Sequence, residues 1–279
     1  MKKSIKIFAG AMALLMVVSP LLAGGAKLQY KLKPGQEWVC TQTSQNEIIF
    51  MGQKQVSRNK QIIIYKVSKG VKKGWFSVTA RLKASKKNEN SMFDISRMTF
   101  KADMHSSGEI RNNSFSGNPM LQTEAQTEQM PPEMQEMMAK QGDTMGEMMQ
   151  YTIFWFPEVP EETLQIGDEF EVERNLGTSG MGMQMQSVVK QVFTLEEVRK
   201  GLAYFSVKQR SIAKTKGGMG GKSEIKTVGK GEAVFDLNEG MWLDLTEKSR
   251  SKAKMGGIPG MGDSSSEMLM MNKSEMELK

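Results

Sequence analysis

Histidine and cysteine, the side chains that most readily do acid, base, nucleophilic or metal chemistry near neutral pH, occur once each in this chain, as His105 and Cys40. One of each cannot furnish the several nitrogen and sulfur ligands of a zinc site. A histidine-based triad would need a nucleophile on a strained turn, and the sequence holds no Gly-x-Ser-x-Gly. His105 stands beside Ser106-Ser107-Gly108 and is expected on an exposed loop, while Cys40, in a strand-like run, reads as a small buried hydrophobe. Gly217 to Ser223 ends in Gly-Lys-Ser like a phosphate-binding loop, but its glycine spacing is one residue short and no amphipathic helix follows. Two chemistries stay open. Glu158, Glu161, Glu162, Asp168 and Glu169 are dense enough for hydrolysis by paired carboxylates, although dense acids on a connector are ordinarily just solvated. Met181, Met183 and Met185 alternate and would share one face of a strand, where thioethers suit Cu(I); the plainer reading is the apolar face of a strand that follows a glycine-rich turn.

Methionine, at 26 residues, is the compositional outlier. Met134, Met137, Met138, Met145, Met148 and Met149 recur at helical spacing behind Pro131-Pro132, which can open a helix. Gly142 weakens the middle of that segment, so two short helices are an alternative to one. A stripe of this kind is either ordinary packing or an adaptable surface that closes over a hydrophobic ligand. As a binding site, these six methionines are the candidate residues; no catalytic residue, resident metal or cofactor is expected.

The elements that would position these groups can be read from both ends. Lys2, Lys3 and Lys6, an apolar run from Ile7 to Val18, and the small residues Ala23 to Ala26 form a secretory signal peptide over 1–26, with cleavage after Gly25 or Ala26. The run is shorter than the roughly 20 residues of a spanning helix, so no transmembrane segment is expected after cleavage. The formal charge of +7 hides a division by sign: from Met120 to Glu173 thirteen acids face one base, Lys140, so the remainder carries +19. Basic residues are not interleaved with aromatics in a nucleic-acid module; they alternate with apolar residues, as on the solvated face of a sheet.

Strand patterns run from Glu37 to Thr43, Ile48 to Met51, Gln61 to Val67 and Trp75 to Leu82, with glycine turns between them. Ser91 to Phe100 and Ala102 to Ile110 read as a further pair turning near Ser106-Ser107-Gly108, and Asn112 to Pro119 as a loop. Later strands are expected near Glu169 to Leu176, Met183 to Leu195, Leu202 to Ile212, Ser223 to Phe235 and Met241 to Ala253, with Glu267 to Leu278 as a closing strand. Leu32 to Trp38 and Leu164 to Phe170 share Leu-x-x-Gly-x-Glu-aromatic, a spacing of 167 − 35 = 132 residues. Gly108 and Gly240 repeat that interval, and Trp75-Phe76-Ser77-Val78 matches Tyr204-Phe205-Ser206-Val207 at 129. A duplicated unit with an insertion follows: residues 27–112 form the first β unit, 113–156 an acidic, methionine-rich insert, and 157–279 the second β unit with a flexible glycine and methionine tail.

Gly35-Gln36-Glu37-Trp38, Pro157-x-x-Pro160 leading to Gly167-Asp168-Glu169-Phe170, and Gly231-x-x-x-Phe235-Asp236-x-x-x-Gly240 together resemble a class of exported bacterial β-rich proteins of unknown function. Ile166 and Phe170 stand where that class carries a small apolar residue and tryptophan. More distantly, the outline is similar to periplasmic lipoprotein carriers, whose curved sheet holds acyl chains under helices. The expected fold is mainly β: two related antiparallel units forming a curved sheet or open barrel, with the helical insert over one mouth or face. The expected function is that of a non-enzymatic cell-envelope protein, periplasmic or extracellular, binding a hydrophobic small molecule or an envelope protein.

Overall fold

In the computed structural model, the described residues are 25–50, 53–83, 96, 98–117, 131–154, 156–180, 183–217, 222–256 and 264–279. Among them the chain is mainly β. In order run β1 (Ala26–Lys27), β2 (Glu37–Phe50), β3 (Gln53–Lys69), β4 (Trp75–Lys83), β5 (Thr99–His105), β6 (Ile110–Ser116), α1 (Pro132–Ile153), β7 (Thr163–Leu164), β8 (Glu169–Gly180), β9 (Met183–Arg199), β10 (Leu202–Gly217), β11 (Lys222–Asp236), β12 (Met241–Gly256) and β13 (Ser264–Leu278). Eleven of the strands form one antiparallel sheet in the order β6-β5-β4-β3-β2-β13-β12-β11-β10-β9-β8. The closing strand expected from Glu267 onward is β13, and it sits in the middle, paired with β12 on one side and β2 on the other.

Strand alternation explains how this sheet finds its inside. Along β10, Ala203, Phe205 and Val207 are buried, whereas Lys208, Arg210 and Lys214 point out and are exposed. A one-residue slip would exchange those two sets, so the register is strongly specified. The inward positions change character along the strand. Beyond Val207 they read Gln209, Ser211, Ala213 and Thr215, all half-buried. The same change occurs along β2, where Trp38 and Cys40 give way to Gln42, Ser44 and Asn46, and along β12, where Trp242 and Leu245 give way to Glu247, Ser249 and Ser251. One end of the interior is therefore an aromatic core and the other is lined by small and polar groups.

In the apolar end the Trp242 ring lies 5.3 Å from Phe193, 5.4 Å from Phe205 and 5.1 Å from Phe235. The pair with Phe235 is edge-to-face and the other two are tilted; aromatic pairs contribute about 0.5–1.5 kcal/mol each beyond the area they bury. Tyr30 closes this end. Its backbone N–H donates to Ser106 O at the β5–β6 turn, its hydroxyl donates to Pro157 O at 2.9 Å, and the same hydroxyl oxygen accepts from Trp242 Nε1 at 2.9 Å. Gly108, at φ 92°, lets the turn lie against the Pro157 carbonyl and the Tyr30 ring where a Cβ would collide.

The edges of the sheet, β6 and β8, are not paired with each other. Helix α1 lies between them and packs on both. It is a single helix of 22 residues, not two short ones. Its buried line is Gly142, Gly146, Gln150 and Ile153, because the glycines let the helix backbone approach β6: a Cβ on Gly146 would enter the Phe115 ring. The helix thus fills the seam of a curled, open barrel, where a cover over a mouth or face was expected. Gln150 Oε1 accepts from Asn113 Nδ2 at 2.8 Å, and Tyr65 donates its hydroxyl hydrogen to Ile153 O at 2.6 Å.

Two local expectations change. The last strand pair of the first half is Thr99–His105 with Ile110–Ser116, so the asparagine-rich stretch from Asn112 is an edge strand and not a loop. Its polarity suits an edge, and its side chains are engaged, Asn113 with the helix and Asn112 Nδ2 with Asp103 Oδ2 at 2.8 Å. His105 ends β5 half-buried, where an exposed loop position was expected, because it is covered by Trp75, 5.1 Å away across the β4–β5 ladder, and its Nδ1 lies 2.9 Å from Ser107 Oγ.

The two turns that carry the repeated motif are built alike. Gly35, at φ 93°, donates its N–H to Val67 O, and Gly167, at φ 92°, to Leu195 O. Val67 N–H returns to Gln36 O as Leu195 N–H returns to Asp168 O. In each turn the residue after glycine reaches back with its side chain: Gln36 Oε1 accepts from Lys33 N at 2.7 Å, and Asp168 Oδ2 from Gln165 N at 2.7 Å. The side chain fixes the entering strand by an Asx-like closure.

Candidate functional site: a polar cavity inside the curled sheet

In a flat sheet β3 and β8 would stand seven strand spacings apart, roughly 34 Å. Here Gln61 of β3 and Arg174 of β8 line one cavity of about 400 Å³, together with residues of β2, β9, β12 and β13. The volume is that of a small-molecule site, and most of its lining residues are polar, among them Gln42, Ser44, Asn59, Gln61 and Gln191, whose aliphatic stems share the wall with Leu176, Val189 and Leu245.

Glu247 is the charged group at the centre. It is only 6% exposed, and burial pushes its carboxyl up to about 7 although a hydrogen bond from Gln191 acts the other way. It fits because β11 passes it with glycine at both cross-strand positions. Gly231 is its direct partner, where a Cβ would collide with the Thr246 carbonyl, and a Cβ on Gly229 would come within 3.0 Å of Glu247 Oε1. Gln191 Nε2 also donates to Gln209 Oε1 at 3.0 Å, so the carboxyl is tied to an amide chain across β9 and β10. Further along, Thr227 and Ser251 pair hydroxyls at 2.8 Å. Between these lie two buried polar atoms, Ser249 Oγ and Asn46 Oδ1, that have no hydrogen-bond partner among the described residues. Both flank Met270 in the ladder, one on β12 and one on β2. A buried acceptor or hydroxyl left unpaired costs about 1–3 kcal/mol; neither residue lines the 400 Å³ cavity, and Trp38 Nε1, in the apolar end, is a third such atom.

Arg174 joins this cavity to a second of about 310 Å³ in the seam, bounded by α1, Phe154, Phe156 and Glu158. Burial lowers the Arg174 pKa, and Tyr30 and Glu158 act to raise it. The guanidinium remains charged at any physiological pH.

The residues singled out from sequence fall elsewhere. Met134 and Met137 are exposed on α1 at 46% and 49%, Met138 is half-buried, and Met149 packs on the core; the side chains of Met145 and Met148 lie outside the described residues. The six do not form one buried stripe, because the helix presents its glycines inward. Met185 is half-buried on the inner face of β9, while Met181 and the Met183 side chain lie outside the described residues. Among the candidate carboxylates, Asp168 closes a turn, Glu169 accepts from Thr194 Oγ1 at 2.8 Å, and Glu158, Glu161 and Glu162 are exposed on the connector. Glu247, Gln191 and Ser249 were missed. Their signal was present: Glu247, Ser249 and Ser251 alternate with Lys248 and Arg250, which marks one small polar set facing inward.

No family model matches the sequence, and no curated protein matches it. Solved structures that align include Ail, the attachment invasion locus protein of Yersinia pestis, at 5% identity over 88% of this chain and 100% of that one, with a TM-score of 0.19. Neisserial surface protein A aligns at 7% identity over 86% and 96% of the two chains, with a TM-score of 0.22. The beta domain of the Bordetella autotransporter BrkA aligns at 8% identity over 87% and 99%, with a TM-score of 0.37. Similarity at these TM-scores carries no argument about fold or role. The outward positions of β10 to β12 argue independently about the lipid phase: Lys208, Arg210, Lys226, Lys230, Lys248 and Arg250 point out at mid-strand. A cation on the lipid face of a barrel costs up to about 2–4 kcal/mol at the bilayer midplane, so this face is not a membrane-spanning band.

Proposed function

We propose that this is a non-enzymatic, exported cell-envelope protein that binds a small polar ligand in the cavity around Glu247. The observation that carries the reading is the buried Glu247 carboxyl, tied through Gln191 to an amide chain, in the wall of a cavity whose other lining residues are mainly amides and hydroxyls. Export is supported by the basic, apolar and small-residue order of residues 1–26. Ligand class is where this reading departs from the sequence expectation of a hydrophobic molecule. Aromatic side chains pack the apolar end of the interior, and the cavity at the other end offers amides, hydroxyls and one carboxyl, which favour a hydroxyl- or amide-rich guest.

Native mass spectrometry of protein purified from the envelope fraction tests this, with a fluorescent fatty acid as the contrasting probe. The expected result is a bound polar species that is lost in Gln61→Leu and Gln191→Leu variants, with no fatty-acid binding. Fatty-acid binding that survives both substitutions would overturn the polar assignment. The same spectra check export, with a chain starting at Ala26 expected, because Ala26 is fully buried and pairs with Leu164 in the β1–β7 ladder.

A second reading rests on Met134 and Met137. Two exposed methionines on one helix suit contact with a protein partner, since unbranched thioether side chains repack at little cost. We further propose that β2 to β6 and β8 to β12 are copies of one unit, supported by the matched hydrogen bonds of the Gly35 and Gly167 turns.

A further inference from the structure

The outer face of β10 to β12 carries lysine against lysine. Lys208, Lys230 and Lys248 are direct cross-strand neighbours in one row. In the next row Arg210 and Arg250 flank Val228, and Lys226 faces Lys252 one row further on. Cross-strand neighbours stand about 5 Å apart at Cβ, and like charges there destabilise a sheet. From Lys208 to Lys216, Lys222 to Lys230 and Lys248 to Lys254 the outward positions hold 11 basic side chains against one acid, Glu224, which pairs with Lys226 at 3.0 Å. The helix packs at the β6–β8 seam, away from this face; acids meet the face at its margins, where Glu169 Oε1 lies 3.9 Å from Lys208 Nζ and Glu267 is the cross-strand partner of Lys252. Aliphatic side chains are set among the charges: Val228 is 58% exposed, Ile212 is exposed on the neighbouring strand, and exposed Leu269 lies on the far side of Arg250.

We propose that this face docks on an anionic phospholipid surface, independently of the ligand assigned to the cavity. The field comes from the lysine rows, which cover roughly 27 Å along the strands. Long lysine stems can lie along Val228 and Ile212 while their ammonium groups reach phosphate, an arrangement suited to the boundary between headgroup and acyl chain. A purely polymeric anion in water would use the charges but leave the aliphatic set exposed. The protein lies on the surface and does not cross it.

The test is co-flotation of the exported protein, its N-terminus checked by mass, with vesicles of phosphatidylcholine alone or with about one third phosphatidylglycerol. Binding is expected with the anionic vesicles alone and is expected to fall steeply with salt. Each basic residue near such a surface contributes about a five-fold gain in partitioning, so the K226Q/K230Q/K248Q/K252Q variant should lose on the order of several hundred-fold. V228S/I212S should weaken binding further at raised salt, where the charges are screened. The quadruple variant removes like-charge neighbours and is expected to keep the wild-type circular dichroism and to melt no lower than the wild type. Equal flotation with both vesicles, or a quadruple variant that binds as wild-type does, would overturn the proposal. So would a sulfated polysaccharide that binds the face when anionic vesicles do not.

Discussion

Glutamine in place of Glu247 should make the protein more stable at pH 8 and nearly indifferent to pH between 5 and 8. The carboxyl ordinarily titrates at 4.5 and here at about 7 because it is buried beside glycines and amides. Below pH 4.5 it is protonated whether the chain is folded or not, and it contributes no pH dependence. Between 4.5 and about 7 the folded protein holds a proton that the unfolded chain has released, so stability falls as pH rises; above 7 the full penalty is present. At 1.36 kcal/mol per pH unit the interval amounts to about 3 kcal/mol. Glu37, Glu136, Glu173 and Glu224 have pKa values lowered by lysine neighbours, so their contributions are lost below 4.5 and leave the upper window to Glu247. Glu247→Gln removes the charge, keeps the shape, and can still accept from Gln191. For a chain of this size the gain at pH 8 corresponds to a rise in Tm of about 6–12 °C, shrinking toward zero at pH 5. Parallel melting curves for variant and wild type across that range would refute the reasoning.

Tyr30→Phe leaves the Trp242 indole N–H and the Pro157 carbonyl without their partner in a buried place, and urea unfolding should show a loss of about 2–5 kcal/mol. Gly146→Ala drives a methyl group into the Phe115 ring, so chemical denaturation should report a cost of about 1–3 kcal/mol, whereas an alanine on an exposed helix face would stabilise. Gly35→Ala and Gly167→Ala place a side chain at φ values of 93° and 92° in two turns with the same hydrogen bonds, and each should cost about 1 kcal/mol or somewhat more. Unequal costs at those two positions would count against the copies being equivalent.

Strand positions were legible because aromatic and β-branched residues cluster at one end of nearly every strand, and the closing strand was legible from the alternation of Glu267 to Leu278. The far halves of the strands were harder to read. Gln42, Ser44 and Gln209 face inward yet are polar, so alternation of hydrophobicity fades where alternation of size and charge persists. Asn112 to Ser116 misled for a related reason, since an edge strand held by a helix needs no apolar face. Methionine spacing correctly marked a helix over 134–149 but not its buried side, which glycine supplies by absence of bulk. The cavity residues escaped because they come from six strands that only the curl of the sheet brings together.

The central place of β13 has a consequence for the order in which the molecule can assemble. Trp38 at the beginning of β2 pairs with Leu278 at the end of β13, so that ladder waits for a segment made some 240 residues later. Until then β2 and β12 each present a long open edge, the kind of edge that recruits other chains. Contacts so distant in sequence form slowly. A nascent chain therefore cannot complete its sheet before its last strand emerges. Loss of 264–279 should leave two sticky half-sheets that aggregate, not a smaller folded protein.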